Sequence, residues 1–471
     1  MFRSALLILS GNLTGYLFLF LRNLLVARLI GVADYGIAST FLLSMSIVEM
    51  MSALGIQQQL ILRKDGDDAD LQAALQGVQA LRAVLNAGAL LLLAGPIAAF
   101  LGVPQVTWAY RLLALMPLFN GLQHLDTIRQ ARRMVYLPGI ISNVLPVALS
   151  VLCVWPLAML TGDYRVLLFA MLIQGAAALV GTHLLAARRY RLRFDRAVMR
   201  ESLRFGWPLM LDGVILFAVF NGEKLIVGHQ LGMAALALFS MGFTLTLTPT
   251  LMLGNTGANF FLPQLSAAPD TAQFEPLAAA TLQLHFLFGG LTLLGVMLFG
   301  PPFVHLALGA KYAALPPLLI WLAILQGLRV LKGGSSIVAL ARGQTGNALA
   351  SNLIRIALLP VAWVATAQGG SMLTVIHIGI VGEFGGFIVA LWLVQRRLRL
   401  PLRPLLPSIL LTLATFALAA VYALRASGEA TGDTLNAALL GFVALLFALS
   451  FLGMRDLRGY IARRTLTRHE A

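Results

Sequence analysis

Charged side chains inside apolar stretches are the residues of this 471-residue chain with the clearest chemical potential. They are Arg22, Arg28, Glu49, Arg82, Arg111, Asp212, Glu223, Lys224, Arg329, Lys332, Arg355 and Glu383. At the centre of a bilayer-spanning helix each costs roughly 2.5–3.5 kcal/mol, so such groups pair, snorkel or line a wet chamber. Arg28 and Arg111 lie near helix ends, where long basic side chains reach the headgroups. Arg22 sits deeper, roughly 13 Å from Gly31 at 1.5 Å per residue. Arg329 and Lys332, at i and i+3, share one helix face. Asp212 and Glu223, eleven positions apart, fall nearly on one face at about 100° per residue; that stripe could bind a cation or proton, or neutralise arginines of the first helix. Cations outnumber anions eight to four in this set. A chamber with that surplus suits an anionic ligand, and the planar guanidinium fork suits phosphate. Arg22, Arg82, Lys224, Arg329, Lys332 and Arg355 are the candidate ligand-binding groups; Glu49, Asp212, Glu223 and Glu383 are candidates for proton or Na+ coupling.

Other chemistries find little support. Cys153 is the single cysteine, which excludes an intramolecular disulfide and a thiol metal cluster. The histidines lack metal-ligand spacing, and the chain contains neither GxxxxGK[ST] nor HExxH. No cofactor and no enzymatic constellation is expected.

The elements that must position these charges are membrane helices. Hydrophobic residues make up 59% of the chain and charged ones 11%, with a mean hydropathy of +0.86, a balance foreign to soluble domains. Apolar runs long enough to cross a bilayer predict fourteen helices over 4–30, 35–62, 74–101, 107–127, 138–160, 164–187, 204–230, 234–262, 276–308, 312–341, 346–367, 372–395, 408–426 and 434–454. The first run lacks a cleavage site and is read as a retained helix. An even count puts both termini on one side. The loops on that side carry Arg3, Arg63, Lys64, three arginines in 129–133, six in RRYRLRFDRAVMR (188–200), Arg342, four in 396–403 and five in 455–468; the opposite loops carry only Arg165, Lys311 and Arg425. The bias places both termini in the cytoplasm. It also accounts for most of the formal +15 as topology and contact with anionic lipid, rather than nucleic-acid binding. No connection is long enough for an external catalytic domain.

At an offset of 201, NLLVARLIGVADYGIAS (23–39) aligns with KLIVGHQLGMAALALFS (224–240), with five identities in seventeen positions. The offset equals six helices, so the halves share an orientation, and Arg22 corresponds to Glu223. The expected organisation is an N-lobe (1–187), a basic linker (188–203), a C-lobe (204–395), two appended helices (396–454) and a basic tail (455–471).

RNLLVARLIGVADYG, with its ARxxG end followed by YG, resembles helix 1 of the Wzx-type polysaccharide flippases (O-antigen and exopolysaccharide translocases) of the multidrug/oligosaccharidyl-lipid/polysaccharide exporter superfamily. LRFGWPLMLDGVILFAVFNGEKLIVGHQLG (203–232) is similar to that family's helix 7, and LGAKYAALPPLLIWLAILQGLRVLKGGSSIVALARGQT (308–345) to its helix 10. The resemblance implies two six-helix lobes in a V around a cationic cavity, in the inner membrane of a bacterium. It implies transport of an undecaprenyl-pyrophosphate-linked oligosaccharide to the periplasmic leaflet, with membrane lipids, a polysaccharide polymerase and glycosyltransferases as partners. Arg22 matches a helix 1 arginine that matters in the related lipid II flippases, six residues before the arginine of ARxxG. A second arginine of that branch would fall at Tyr16, which makes peptidoglycan precursor the weaker substrate expectation. A cation or drug antiporter, a lipid II flippase and a non-transporting scaffold for polysaccharide synthesis are the alternative functions.

Overall fold

The computed structural model describes residues 2–268, 271–426 and 433–469. Most of the connection between the last two predicted spans, and the two final residues of the tail, lie outside them. Among the described residues all regular structure is helical, as lipid demands, because a helix satisfies its backbone hydrogen bonds within one segment. The chain divides into two compact units, Met1–Ser240 and Met241–Ala471.

The first unit opens with α1 (Phe2–Leu29) and α2 (Val32–Met51), joined through Gly31. A bend of 42° separates α2 from α3 (Ile56–Leu62), at Gly55 with φ +62°. α4 (Ala69–Phe100) starts at Asp68, whose carboxylate accepts from the Asp70 N–H and so satisfies an orphan donor of the first turn. The predicted span 107–127 is instead a broken run, α5 (Thr107–Leu113), α6 (Leu115–Gly121) and α7 (Asp126–Arg132). α8 (Leu137–Thr161) and α9 (Arg165–Leu184) follow as expected.

The basic linker is shorter than the sequence suggests. α10 (Arg196–Ala267) begins inside it and runs for 72 residues, absorbing two predicted spans. Helical geometry fails within it at Gly232 (φ 84°, ψ 179°), a conformation open to glycine and strained for any other residue. Gly232 is the position that the 201-residue offset equates with Gly31, so the paired glycines both interrupt successive helices.

The second unit continues with α11 (Thr271–Leu308), α12 (Pro316–Ala341), α13 (Gly346–Ala367), α14 (Met372–Leu398), α15 (Leu406–Ala426) and α16 (Asp433–Gly453); the basic tail forms a further helix, α17 (Arg455–His469). α12 is covered along nearly its whole length, whereas α16 leaves most of its surface uncovered. α12 is therefore the internal helix of its unit, and polar side chains on it cannot snorkel. By length and composition, ten helices among the described residues can cross a membrane, or eleven with the bent α2–α3 pair counted as one span. The shortfall from fourteen comes partly from the fusion within α10 and the fragmentation of 107–127.

Candidate functional site

Four predicted residues meet inside the second unit. Arg329 and Lys332 stand one turn apart on α12, Arg355 on α13 and Glu383 on α14. The Glu383 side chain is 0% exposed, Arg355 1%, Lys332 7% and Arg329 10%. Arg329 donates from Nε to Glu383 Oε1 at 2.9 Å, Arg355 Nη1 reaches the same oxygen, and Lys332 Nζ lies 2.7 Å from Oε2. Lys332 also donates to Asn352 Oδ1 at 2.8 Å, and the Arg329 guanidinium lies 5.6 Å from the centre of the Phe243 ring. Three cations thus converge on one carboxylate. Burial in an apolar bundle makes each charge costly alone; attraction to Glu383 offsets part of that cost and leaves a surplus of two positive charges. Two of the three are guanidinium groups, so the cluster is chemically able to hold an oxyanion by paired hydrogen bonds.

The first unit distributes its predicted residues differently. Arg22 is buried on α1 and donates from Nη1 to Gln174 Oε1 of α9 at 2.5 Å; it makes no ion pair among the described residues. Lys224 donates to Asn221 Oδ1 at 3.3 Å, one turn back along α10, and Glu223 beside it is buried. Glu49 of α2, Arg82 of α4 and Asp212 of α10 line one cavity of about 520 Å3. Glu223 is absent from that lining, so the two carboxylates predicted to form a single stripe lie in different surroundings.

The bend between α2 and α3 shapes this cavity, and its polar lining depends on it. Ser52 ends α2, and its carbonyl accepts from Arg82 Nη1 at 3.0 Å while its hydroxyl accepts from Asn86 at 2.8 Å. A cation is well placed there, at the negative end of a helix with unsatisfied carbonyls. Asn120 donates to Glu49 Oε1 at 3.0 Å, and Gln79 donates to the Asn120 carbonyl at 3.1 Å. Gln57, Gln58 and Gln123 complete a lining rich in carboxamides. Asp212 is exposed into this space and makes no ion pair among the described residues. The carboxamides and Gln174 escape a sequence reading that follows charge alone. One signal is available: Gln72, Gln76, Gln79, Arg82 and Asn86 recur every three or four residues, a polar face on an otherwise apolar helix.

The arginine-rich loops are tied together by carboxylates. α6 ends at Gly121, so Asp126, placed within a span by the sequence, belongs to α7 beyond it. Burial opposes its charge, but hydrogen bonds from Arg129 Nε (2.6 Å), the Ala187 N–H (2.7 Å) and Gln130 (3.0 Å) outweigh burial and hold the carboxyl at about 2. Asp67 bridges Arg133 at 2.9 Å and Arg129 at 3.6 Å.

Known proteins share both sequence and architecture with this chain. The family described as "Polysaccharide biosynthesis protein" matches residues 25–317, more than half of the chain. Among curated relatives, the teichuronic acid biosynthesis protein TuaB of Bacillus subtilis (strain 168) is 24% identical over 219 residues, 46% of this chain and 45% of that protein. The lipopolysaccharide biosynthesis protein WzxC of Escherichia coli (strain K12) is 23% identical over 331 residues, 67% of this chain and 65% of that protein. The chain thus spans about half to two thirds of the length of these relatives. Among solved structures, the lipid II flippase MurJ in an inward closed conformation aligns with a TM-score of 0.69 at 12% identity, covering 98% of this chain and 100% of that one. An inward-facing multidrug resistance MATE family transporter of the MOP superfamily aligns with a TM-score of 0.67 at 16% identity, covering 82% and 95%. At these identities the structural likeness establishes the fold.

Proposed function

The chain belongs to the polysaccharide biosynthesis protein family, and from that premise we propose that it is a flippase for undecaprenyl-pyrophosphate-linked oligosaccharide repeat units. It works in the inner membrane of a bacterium, moving the glycan from the cytoplasmic to the periplasmic leaflet by alternating access. The observation that carries the reading is the convergence of Arg329, Lys332 and Arg355 within an apolar bundle, a donor set suited to a pyrophosphate that must leave water. Arg22, buried with one carboxamide partner, is the second candidate anion contact. The proposed topology counts α2–α3 and α5–α6 as one crossing each, α10 as two, and α1, α4, α8, α9 and α11 to α16 as one each. That is fourteen crossings, and the arginine-rich loops support placing both termini in the cytoplasm.

The test uses purified protein in proteoliposomes with a fluorescent undecaprenyl-pyrophosphate oligosaccharide added to one leaflet. Wild-type protein is expected to carry the probe across, and Arg355→Gln with Arg329→Gln to lose that activity while Arg425→Gln, at a helix end, keeps it. Full transport by the double variant would overturn the assignment of the cluster. A cation antiporter draws support from one observation, the exposed carboxylates of Glu49 and Asp212 in the first unit; it predicts efflux of organic cations by the same vesicles and no movement of the lipid probe.

A further inference from the structure

We propose that the cavity of the first unit is a glycan-binding site selective for neutral and amino sugars and closed to uronic acids. The inference rests on the flippase reading for its ligand class, and on the cavity itself for the selectivity. Its volume of about 520 Å3 lies within the roughly 300–1,000 Å3 of small-molecule sites. The lining is polar: five carboxamides, from Gln57, Gln58, Gln79, Asn120 and Gln123, accompany three charged groups. Carboxamides both donate and accept, which matches the hydroxyls and acetamido groups of a sugar ring and offers nothing to a lipid chain.

The charges decide which sugars enter. Glu49 and Asp212 contribute two carboxylates, and Arg82 contributes one guanidinium. The Arg82 Nη1 is engaged by the Ser52 carbonyl at the end of α2, and its guanidinium attracts Glu49, so the lining keeps a surplus of one carboxylate. Glu49 holds one hydrogen bond from Asn120 and, like Asp212, stays exposed to the cavity. Ionised carboxylates only accept; they bond strongly to hydroxyl, amide and ammonium donors and repel another carboxylate. A uronate would bring a third acidic group against these two, and like-charge contact there disfavours it. The rest of the molecule pulls the other way. Its formal charge of +15 attracts anions generally, so a preference against uronates can come only from a local acidic site.

The experiment measures equilibrium binding to the full chain in nanodiscs of zwitterionic lipid. The probes are three trisaccharides of similar size: glucosamine trimer (cationic), N-acetylglucosamine trimer (neutral) and galacturonate trimer (anionic). Farnesyl pyrophosphate serves as a separate lipid probe. The cationic and neutral trimers are expected to bind at least about tenfold more tightly than the anionic one, which is ~1.4 kcal/mol. Asp212→Asn combined with Glu49→Gln should bring the anionic trimer close to the neutral one, with Asp212→Asn alone giving a partial change should the pair fail to fold. Equal or tighter binding of galacturonate trimer to the wild type would overturn the proposal, as would an unchanged order in a folded variant, or no binding of any trimer. Farnesyl pyrophosphate separates the two readings: binding of it without the sugar order sinks the selective cavity alone, whereas the sugar order without its binding counts against the flippase.

Discussion

Glu383 sits on α14 with no exposure, and its carboxylate is shared by Arg329, Lys332 and Arg355. From sequence it is a candidate for ion coupling, on the reasoning that an acid in an apolar helix is expensive and therefore useful. The contacts point to another role, that of common counter-charge to three cations on two neighbouring helices. Removing one partner of a buried ion pair typically costs 3–5 kcal/mol, because charge is left without compensation. Glu383→Gln is therefore expected to destabilise the second unit by about 3 kcal/mol, read as a lowered melting temperature in detergent, before any effect on transport is measured. An unaltered melting temperature would instead free Glu383 for coupling. Asp212 and Glu49 differ from it in being open to the cavity of the first unit, and they are the better placed carboxylates for reversible ligand or proton binding.

Helices in lipid gain little from apolar contact with one another, since lipid tails are equally apolar; close backbone approach through small residues takes its place. The contact of α10 with α2 works this way. A Cβ built on Gly213 would lie 1.8 Å from the Met50 carbonyl oxygen, so only glycine lets the two helices meet beside the bend that shapes the cavity. Gly88 on α4, in contrast, has open space where a Cβ would stand, with nothing within 4 Å. Gly213→Val is expected to lower the melting temperature and abolish trimer binding in the cavity, while Gly88→Val leaves both near wild type. Equal behaviour of the two variants would show that the α2–α10 contact is dispensable. Hydropathy marks the apolar segments that hold both helices, yet it has no means of telling which glycine touches a neighbour, because that depends on a partner 163 positions away.

For the molecule as a whole, transport against a gradient requires a second ligand whose binding differs between conformations. The exposed pair Glu49 and Asp212 is the proposed seat of that ligand, a proton or Na+. In proteoliposomes, an imposed proton or Na+ gradient is expected to accelerate flipping by the wild type, and Asp212→Asn with Glu49→Gln to remove the acceleration; an equal response in the variant would move coupling elsewhere. Reading residues in order is enough to establish the class of object: a helical membrane protein, the places of its apolar segments, the bias of its basic loops and, through ARxxG and its companions, its family. Those properties are local. Hydropathy is summed over one segment at a time, and lipid forces each segment to satisfy its own backbone. Which charges share a chamber is set only when the helices pack. Arg329, Arg355 and Glu383 come together from three helices, Asp212 parts from Glu223 on the same helix, and Glu49, Arg82 and five carboxamides line one space. Such groupings arise from the rotation and close approach of helices distant in the chain, and no periodicity within one helix encodes its neighbour.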